Sequence, residues 1–193
     1  MDFRQRLFQY RSYTPIPFLI LMAAFAYPTL ESLLFGFCIV VIGEIIRLWG
    51  VSICGSETRT TGPVGGTNLI TTGPFAYVRN PLYLGNMVIY FGVGVMANAL
   101  TPWLPCVALM YFVFQYSLIV SLEERYLVQA FGETFVQYCK AVPRFVPKFI
   151  KYDSGVHQQP ELNWSRGLRS EKRTLQAICI ITVVLVVLWR VRG

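Results

Sequence analysis

The sequence predicts an all-α, polytopic membrane protein with about five transmembrane helices. Its 193 residues are 54% hydrophobic and 14% charged, whereas soluble domains average about 45–50% apolar and about 25% charged residues. Several unbroken apolar runs approach the length of a membrane span, and the mean hydropathy is +0.49. This composition excludes a disordered chain, a disulfide-stabilised scaffold and a soluble α/β enzyme.

Five segments reach or approach the roughly 20 apolar residues that a helix needs to cross a hydrocarbon core. The first is short and is ended or kinked by Pro28, and the second carries Glu44 and Arg47. Short connections join the first span to the second and the third to the fourth, which predicts two tight antiparallel hairpins. The predicted spans are about residues 17–30, 33–54, 82–100, 103–122 and 175–191.

Basic residues predict the orientation of these spans. The tight connections contain no Lys or Arg, whereas Arg4, Arg6 and Arg11 precede the first span. The two long segments and their edge carry Arg47, Arg59, Arg79, Arg125, Lys140, Arg144, Lys148, Lys151, Arg166, Arg169, Lys172 and Arg173. The positive-inside rule therefore places the N-terminus and both long segments in the cytoplasm, with Arg190 and Arg192 outside as an exception. The net charge of +7 then marks orientation and a headgroup-facing surface, not a nucleic-acid footprint.

The N-terminus and the two cytoplasmic segments carry further signals. No cleavable signal peptide is expected, because no small-residue cleavage site follows the first apolar run. Residues 55–80 are rich in Gly, Thr and Pro and predict an ordered loop or a small hairpin. From Glu123 to about Val142 apolar residues recur every four positions, which predicts an amphipathic helix that Pro143 and Pro147 end. Its stripe either lies on the membrane or roofs a pocket, and plain packing is the commoner explanation. Residues 154–173 are polar and are predicted to be a connector.

Neither a disulfide nor a metal site is expected. The five cysteines show no CxxC spacing, and those in the cytoplasm should stay reduced. His157 is the single histidine, and it has no Cys or carboxylate cluster beside it. We therefore expect it in a solvated loop.

The first candidate site lies where the third span begins. Pro81 starts this helix, where its missing N–H costs nothing, and keeps Asn80 extended. Free N–H groups at the helix start, with Arg79 beside them, suit a carboxylate or a phosphate. Tyr83 and Asn86 are three residues apart and share a face. The alternative is a juxtamembrane anchor, with Arg79 on headgroups and Tyr83 in the aromatic belt.

The second candidate site is a pair of adjacent carboxylates, Glu123 and Glu124, at the end of the fourth span. Such a pair repels unless cations or hydroxyl groups bind it, and a carboxylate that accepts both ribose hydroxyls is one such use. The alternative is an interfacial ion pair with Arg125. Glu44 and Arg47 can pair at i,i+3 within the second span, as a structural or a functional intramembrane pair.

Two motifs in these segments resemble one known family. The run Arg79-Asn80-Pro81-Leu82-Tyr83-Leu84-Gly85 is similar to the Arg-His-Pro-x-Tyr-x-Gly motif of the isoprenylcysteine carboxyl methyltransferase and phospholipid methyltransferase superfamily. The C-terminal signature of that family is similar to Glu123-Glu124, Leu127, Phe131-Gly132, Phe135, Tyr138, Arg144-Phe145 and Pro147. The resemblance covers about residues 69–148. Asn80 stands where most members have His, which removes a titratable group from the motif.

The resemblance implies a single membrane methyltransferase domain over residues 1–193, with its motif-bearing core at 69–148 and an extra C-terminal transmembrane helix. Its cofactor would be S-adenosylmethionine, held without a Rossmann domain in a cytoplasmic pocket between the loop before the third helix and the segment after the fourth. By position, the resemblance implies cofactor binding by Gly73, Tyr77, Asn80, Pro81, Tyr83, Glu123, Glu124 and Tyr138. It implies catalytic roles for Arg79, Glu124 and Arg144.

The implied partner is a lipid or lipid-linked acceptor from the bilayer, and either of two acceptor types fits. A carboxylate needs only orientation, which Arg79 or Arg144 can supply bidentately. An ammonium must first lose a proton, with Glu44, Glu123 or Glu124 as the candidate base. The alternatives are an NADPH-dependent membrane reductase related to sterol reductases and a non-catalytic lipid-binding scaffold. The glycines of the third span serve close packing either within the chain or between chains.

Overall fold

The computed structural model describes residues 3–55, 68–153, 155 and 159–192, and its regular elements are helical. Residues 56–67 of the predicted loop or hairpin, with Arg59, lie outside the described residues, as does His157. The helices are α1 (Phe3–Tyr10), α2 (Pro15–Ala24), α3 (Leu30–Cys54), α4 (Pro81–Ala97), α5 (Trp103–Ala141) and α6 (Trp164–Arg192), with a 3₁₀ helix at Gly73–Ala76. The predicted all-α class is confirmed.

Three helices are long and apolar enough to cross a membrane, namely α3, α5 and α6 with 25, 39 and 29 residues. The other two predicted spans correspond to the shorter apolar helices α2 and α4, with 10 and 17 residues. The polytopic membrane fold is therefore confirmed, and the count of five spans stays a prediction.

Two predicted boundaries are wrong for identifiable reasons. The predicted first span ran to Leu30, but α2 ends at Ala24 and Leu30 already belongs to α3. The Thr29 hydroxyl accepts from the Ser32 N–H and the Ser32 hydroxyl accepts from the Thr29 N–H, and this capping box starts α3. The predicted connector 154–173 is wrong from Trp164 onward, where the Asn163 side chain accepts from the Arg166 N–H at 2.9 Å and caps α6.

Among the described helices, α3 and α4 make the most extensive contact, and two pairs of glycines permit their close approach. A Cβ on Gly43 would lie 2.8 Å from the Gly85 carbonyl oxygen, and one on Gly92 would lie 2.9 Å from the Gly36 carbonyl oxygen. The pairs are seven residues apart on each helix, so both face the same seam. The glycines at 85 and 92 thus serve packing within the chain.

The remaining helices assemble around this pair. As predicted, α4 packs on α5, to which a short connection joins it. The other predicted hairpin, between α2 and α3, does not form a packed pair, because α2 packs on α4 instead. α6 packs on both α3 and α4. The main core centres on Phe112, Tyr116 and Ile119 of α5, together with Met87 of α4 and Leu185 of α6.

The amphipathic segment is the continuation of α5, with a break at Gly132. Gly132 has φ +54° and ψ −133°, a conformation that favours glycine. Beyond this break Phe135, Tyr138 and Val142 form a small second core against Leu69 and Tyr152. The helix ends at Ala141, before Pro143, as predicted. The stripe therefore packs inward, over the segment that precedes α4.

Candidate functional site

A cavity of about 800 Å³ lies among α2, α3, α4, α5 and α6. Its polar end is lined by Arg79, Asn80, Glu123, Glu124 and Tyr138. Its apolar arm is lined by Ile16, Leu19, Ile89, Val93, Ile178 and Ile181. The volume falls within the roughly 300–1,000 Å³ that small-molecule sites occupy.

The two sequence motifs meet at the polar end, because backbone hydrogen bonds join the segment before α4 to the segment after α5. The N–H of Arg79 donates to the Pro143 carbonyl at 2.9 Å, and the N–H of Lys148 donates to the Tyr77 carbonyl at 3.0 Å. Side chains add to these bonds. The Asn80 amide donates to the Arg144 carbonyl at 3.1 Å. The segment before α4, residues 68–80, therefore forms the roof of the cavity, which is lined there by Asn68, Leu69, Ile70, Phe75, Arg79 and Asn80.

Tyr138 holds the roof in place. It lies in the part of α5 beyond Gly132, after the predicted fourth span. Its hydroxyl donates to the Phe75 carbonyl at 2.7 Å. Burial raises the pKa of the Tyr138 hydroxyl above its ordinary value, so the group stays protonated and remains a donor. The side chain also lines the cavity.

Glu124 is held by two arginines. Arg79 donates to its Oε1 through Nε at 3.2 Å and Nη2 at 2.8 Å, and Arg144 bonds both carboxylate oxygens. The remaining nitrogen of Arg79, Nη1, donates to the carbonyls of Cys139 at 2.9 Å and Val142 at 2.5 Å. Arg79 thus ties Glu124 to the end of α5, and its donors are largely used within the protein.

Glu123 has different surroundings. The Tyr83 hydroxyl donates to its Oε1 at 2.7 Å, and within the described part of the chain no Lys or Arg nitrogen lies within 4 Å of this carboxylate. The Tyr83 ring packs on Tyr116 with centroids 4.6 Å apart. Arg125, which the sequence offered as a partner for the carboxylate pair, is exposed and takes part in none of these ion pairs.

A second polar cluster joins α3, α4 and α6. Arg47 Nη2 contacts both oxygens of Glu171 at 2.8 and 2.9 Å, and Nη1 donates to the Asn86 amide oxygen at 2.5 Å. Glu171 is fully buried. The predicted pair of Glu44 and Arg47 is present at 3.9 Å. A Cβ on Gly85 would collide with the Arg47 side chain, so this motif glycine lets Arg47 cross α4.

Seven of the predicted site residues line the cavity: Arg79, Asn80, Pro81, Tyr83, Glu123, Glu124 and Tyr138. Gly73, Tyr77 and Arg144 are not among the lining residues. Gly73 has φ +59°, and a Cβ there would collide with Ile53 of α3, whereas Tyr77 packs on Trp49 with centroids 6.2 Å apart. Arg144 reaches the site through Glu124. The functional roles of all ten residues stay predictions.

Sequence reasoning missed Glu171 and Tyr116 as lining residues. Glu171 was placed in a polar connector, although an acidic residue among Arg169, Lys172 and Arg173, just before an apolar run, is a signal for a buried ion pair. Tyr116 had no signal beyond a hydroxyl within a span, and its partner, the Asn86 amide at 3.3 Å, lies on another helix. Among the described residues no cluster of three or more His, Cys, Asp or Glu could hold a metal.

The chain is similar in sequence to several known proteins. The chain is 28% identical to the cobalt-zinc-cadmium resistance protein of Cupriavidus metallidurans over 137 residues, which cover 70% of this chain and 56% of that protein. It is 36% identical to the protein-S-isoprenylcysteine O-methyltransferase of Schizosaccharomyces pombe over 80 residues, which cover 41% of this chain and 33% of that protein.

A third relative belongs to another enzyme class. The chain is 32% identical to the Delta(14)-sterol reductase of Mus musculus over 100 residues, which cover 50% of this chain and 22% of that protein. The chain thus spans about half or less of the length of these relatives. No solved structure matches it. Residues 32–134, which include α4, Arg47 and the Glu123-Glu124 pair, match the phospholipid methyltransferase family, and the chain therefore belongs to that family.

Proposed function

We propose that the protein is an S-adenosylmethionine-dependent methyltransferase that modifies a lipid or lipid-linked acceptor at the cytoplasmic membrane face. One observation carries the proposal: a single cavity has a polar end built by both family motifs and an apolar arm among membrane helices. Such a cavity suits a polar cofactor and a hydrophobic acceptor together. Family membership supports methyl transfer, and the basic residues of the N-terminus and the long segments support the orientation.

The polar end fits the chemistry of S-adenosylmethionine. The cofactor carries ribose hydroxyls, which suit a carboxylate held as rigidly as Glu124. Asn80, Pro81, Tyr83 and Tyr138 would complete its surroundings, with Gly73 and Tyr77 shaping the backbone behind them. When bound, the cofactor supplies a methyl group on a sulfonium. The protein aligns the acceptor and excludes water.

The distribution of charge favours an amine as the acceptor group. Arg47 and Arg79 line the cavity and are both bonded to carboxylates, so an acceptor carboxylate would have to displace one of these bonds to reach either guanidinium. Glu123 faces the cavity with only the Tyr83 hydroxyl and no cation within 4 Å in the described ranges. A carboxylate shielded from water is stabilised by a cation, and it can accept the proton that an ammonium must lose before methylation.

The roles of the two arginines follow from their contacts. Arg79 holds Glu124 in place and closes the roof, and Arg144 completes the carboxylate's surroundings from outside the cavity. We propose that both act on the reaction by positioning Glu124. An orienting contact with the acceptor would need Arg79 to exchange one of its present bonds.

Binding of S-adenosylhomocysteine to the purified protein tests this proposal. We expect it to raise the unfolding temperature of the wild type, because it fills the polar end, whereas Glu124→Gln should abolish the stabilisation. Glu133→Gln is the matched control, since Glu133 is exposed on the same helix. Methyl-labelled S-adenosylmethionine should label lipids in a membrane preparation. Absence of stabilisation by S-adenosylhomocysteine would contradict the proposal.

The match to a sterol reductase favours one second candidate, a nicotinamide-dependent reductase. The same measurement separates the two. Stabilisation by NADPH in place of S-adenosylhomocysteine would favour the reductase. If Glu124→Gln leaves the stabilisation by NADPH unchanged, the Glu124 carboxylate does not belong to the cofactor site.

A further inference from the structure

α6 lies outside the part of the chain that matches the family, yet it forms one wall of the cavity. The matched residues end at 134, and α6 begins at Trp164. Glu171, Thr174, Ile178 and Ile181 all line the cavity. They are spaced by three or four residues and therefore share one face of the helix.

This wall is fastened to the rest of the molecule at both ends. Near its start, Glu171 bonds Arg47 of α3, and Gly167 packs so closely on α3 that a Cβ would collide with Ser52. At its far end, Arg192 donates to the carbonyls of Ala24 and Ala26 at 3.3 and 2.9 Å. Between these points, only 6% of the most apolar 18-residue stretch of α6 is buried within the protein. The other faces of α6 are therefore open to lipid.

The arm that α6 encloses is apolar on all three sides. Ile16 and Leu19 of α2 line one side, Ile89 and Val93 of α4 form the floor, and Ile178 and Ile181 of α6 line the other side. These helices are apolar segments of a membrane protein, and the arm is continuous with the polar end. A hydrocarbon chain suits such surroundings, because it carries no polar groups that would lose their water on entering the arm.

We propose that the arm between α2 and α6 holds the hydrocarbon chain of the acceptor lipid, and that Ile178 and Ile181 determine which chains fit. This inference rests on the proposed function. Glu171 is the positioning residue of the wall: it holds α6 against Arg47 at the junction between the arm and the polar end. The acceptor's reacting group then lies beside Asn86, Tyr83 and Glu123, and its chain points along α4.

Tryptophan substitutions on two faces of α6 test the proposal. Ile178→Trp and Ile181→Trp fill the arm and should lower label transfer from methyl-labelled S-adenosylmethionine into a total lipid extract by at least about tenfold. The matched control is Ile180→Trp, because Ile180 lies on the same helix and is 64% exposed. It should behave as the wild type does. Ile178→Ala enlarges the arm and should therefore shift the label toward lipids with bulkier chains.

Stabilisation by S-adenosylhomocysteine provides the second readout. It should survive in both tryptophan variants, which shows that they fold and that the polar end is intact. A photoreactive-chain phospholipid should cross-link to the arm of the wild type but not of Ile178→Trp. Equal label transfer in Ile178→Trp and Ile180→Trp, or loss of stabilisation in both arm variants, would overturn the inference. If the wild type itself is not stabilised, the proposed function fails instead.

Discussion

At the scale of single residues, the two adjacent glutamates of the site have opposite surroundings. Glu124 is bonded by Arg79 and Arg144 and is therefore a fixed, neutralised group. Glu123, one residue earlier, has a tyrosine hydroxyl as its hydrogen-bond donor. Successive positions on a helix point about 100° apart, so one carboxylate meets the roof and the other meets the interior of the cavity. This asymmetry suits a division of labour between cofactor and acceptor.

Glu123→Gln is expected to separate these two tasks. The amide keeps a hydrogen-bond acceptor for Tyr83 but can no longer take up a proton, so label transfer to a lipid amine should fall by about 100-fold or more. Stabilisation by S-adenosylhomocysteine should remain. Tyr83→Phe removes only the hydroxyl that holds Glu123 and should give a smaller loss. Labelled methanol released from the product by mild base would indicate a carboxyl ester and would contradict an amine acceptor.

At the scale of helices, the glycine pairs of α3 and α4 determine how close the two backbones come. At Gly43 and Gly85 the nearest atoms include the carbonyl oxygen of the facing helix, which cannot rotate out of the way. The separation of the helices therefore governs whether Arg47 of α3 reaches Asn86 of α4. The same seam that stabilises the fold also shapes the polar end of the cavity.

Gly43→Ala should force α3 and α4 apart and lower stability by about 1–3 kcal/mol, as overpacked cores do. The midpoint of unfolding in detergent measures this loss. Gly50→Ala is the control on the same helix, because the nearest atom to its new methyl group would be the Leu82 Cδ2, a flexible side-chain atom at 3.0 Å. A larger loss for Gly50→Ala than for Gly43→Ala would contradict this account of the seam.

At the scale of the whole molecule, the proposed orientation places the polar end and the roof at the cytoplasmic face of the membrane. Before its break at Gly132, α5 runs on from Trp103 and at 1.5 Å per residue extends to roughly 43 Å, beyond a hydrocarbon core of about 30 Å. Its last part therefore projects from the bilayer. The positive-inside rule assigns that projecting part, which leads into the basic segment up to Arg173, to the cytoplasm.

Cysteine labelling tests this orientation. In a background where the native cysteines are replaced by alanine, Ser12→Cys and Lys151→Cys should react with an impermeant maleimide only in inside-out vesicles. Thr101→Cys, in the connection between α4 and α5, should react only in vesicles of the opposite orientation. All three residues are exposed. Reaction of positions 101 and 151 from the same side would exclude the proposed topology.

The sequence predicted the fold class and the meeting of the two motifs, because apolar runs, prolines and adjacent charges are local signals. Pro81 starts α4 and Pro143 follows the end of α5, as the pattern indicated. The break at Gly132 was not predicted, because one glycine within a helical pattern does not reveal its φ. The Glu171 contact was not predicted either, since its partner lies 124 residues earlier in the chain.

That separation has a consequence for how the protein is made. Arg47 is synthesised and inserted long before Glu171 exists, and an arginine at membrane depth is costly without a counter-charge. Glu44, one turn earlier on the same helix, lies 3.9 Å from the guanidinium and can accompany it from the start. When α6 arrives, Glu171 makes the closer contact, with both of its carboxylate oxygens on Arg47 Nη2. Arg47 therefore has one acidic neighbour that is synthesised with it and a second, Glu171, that reaches it only when α6 is in place.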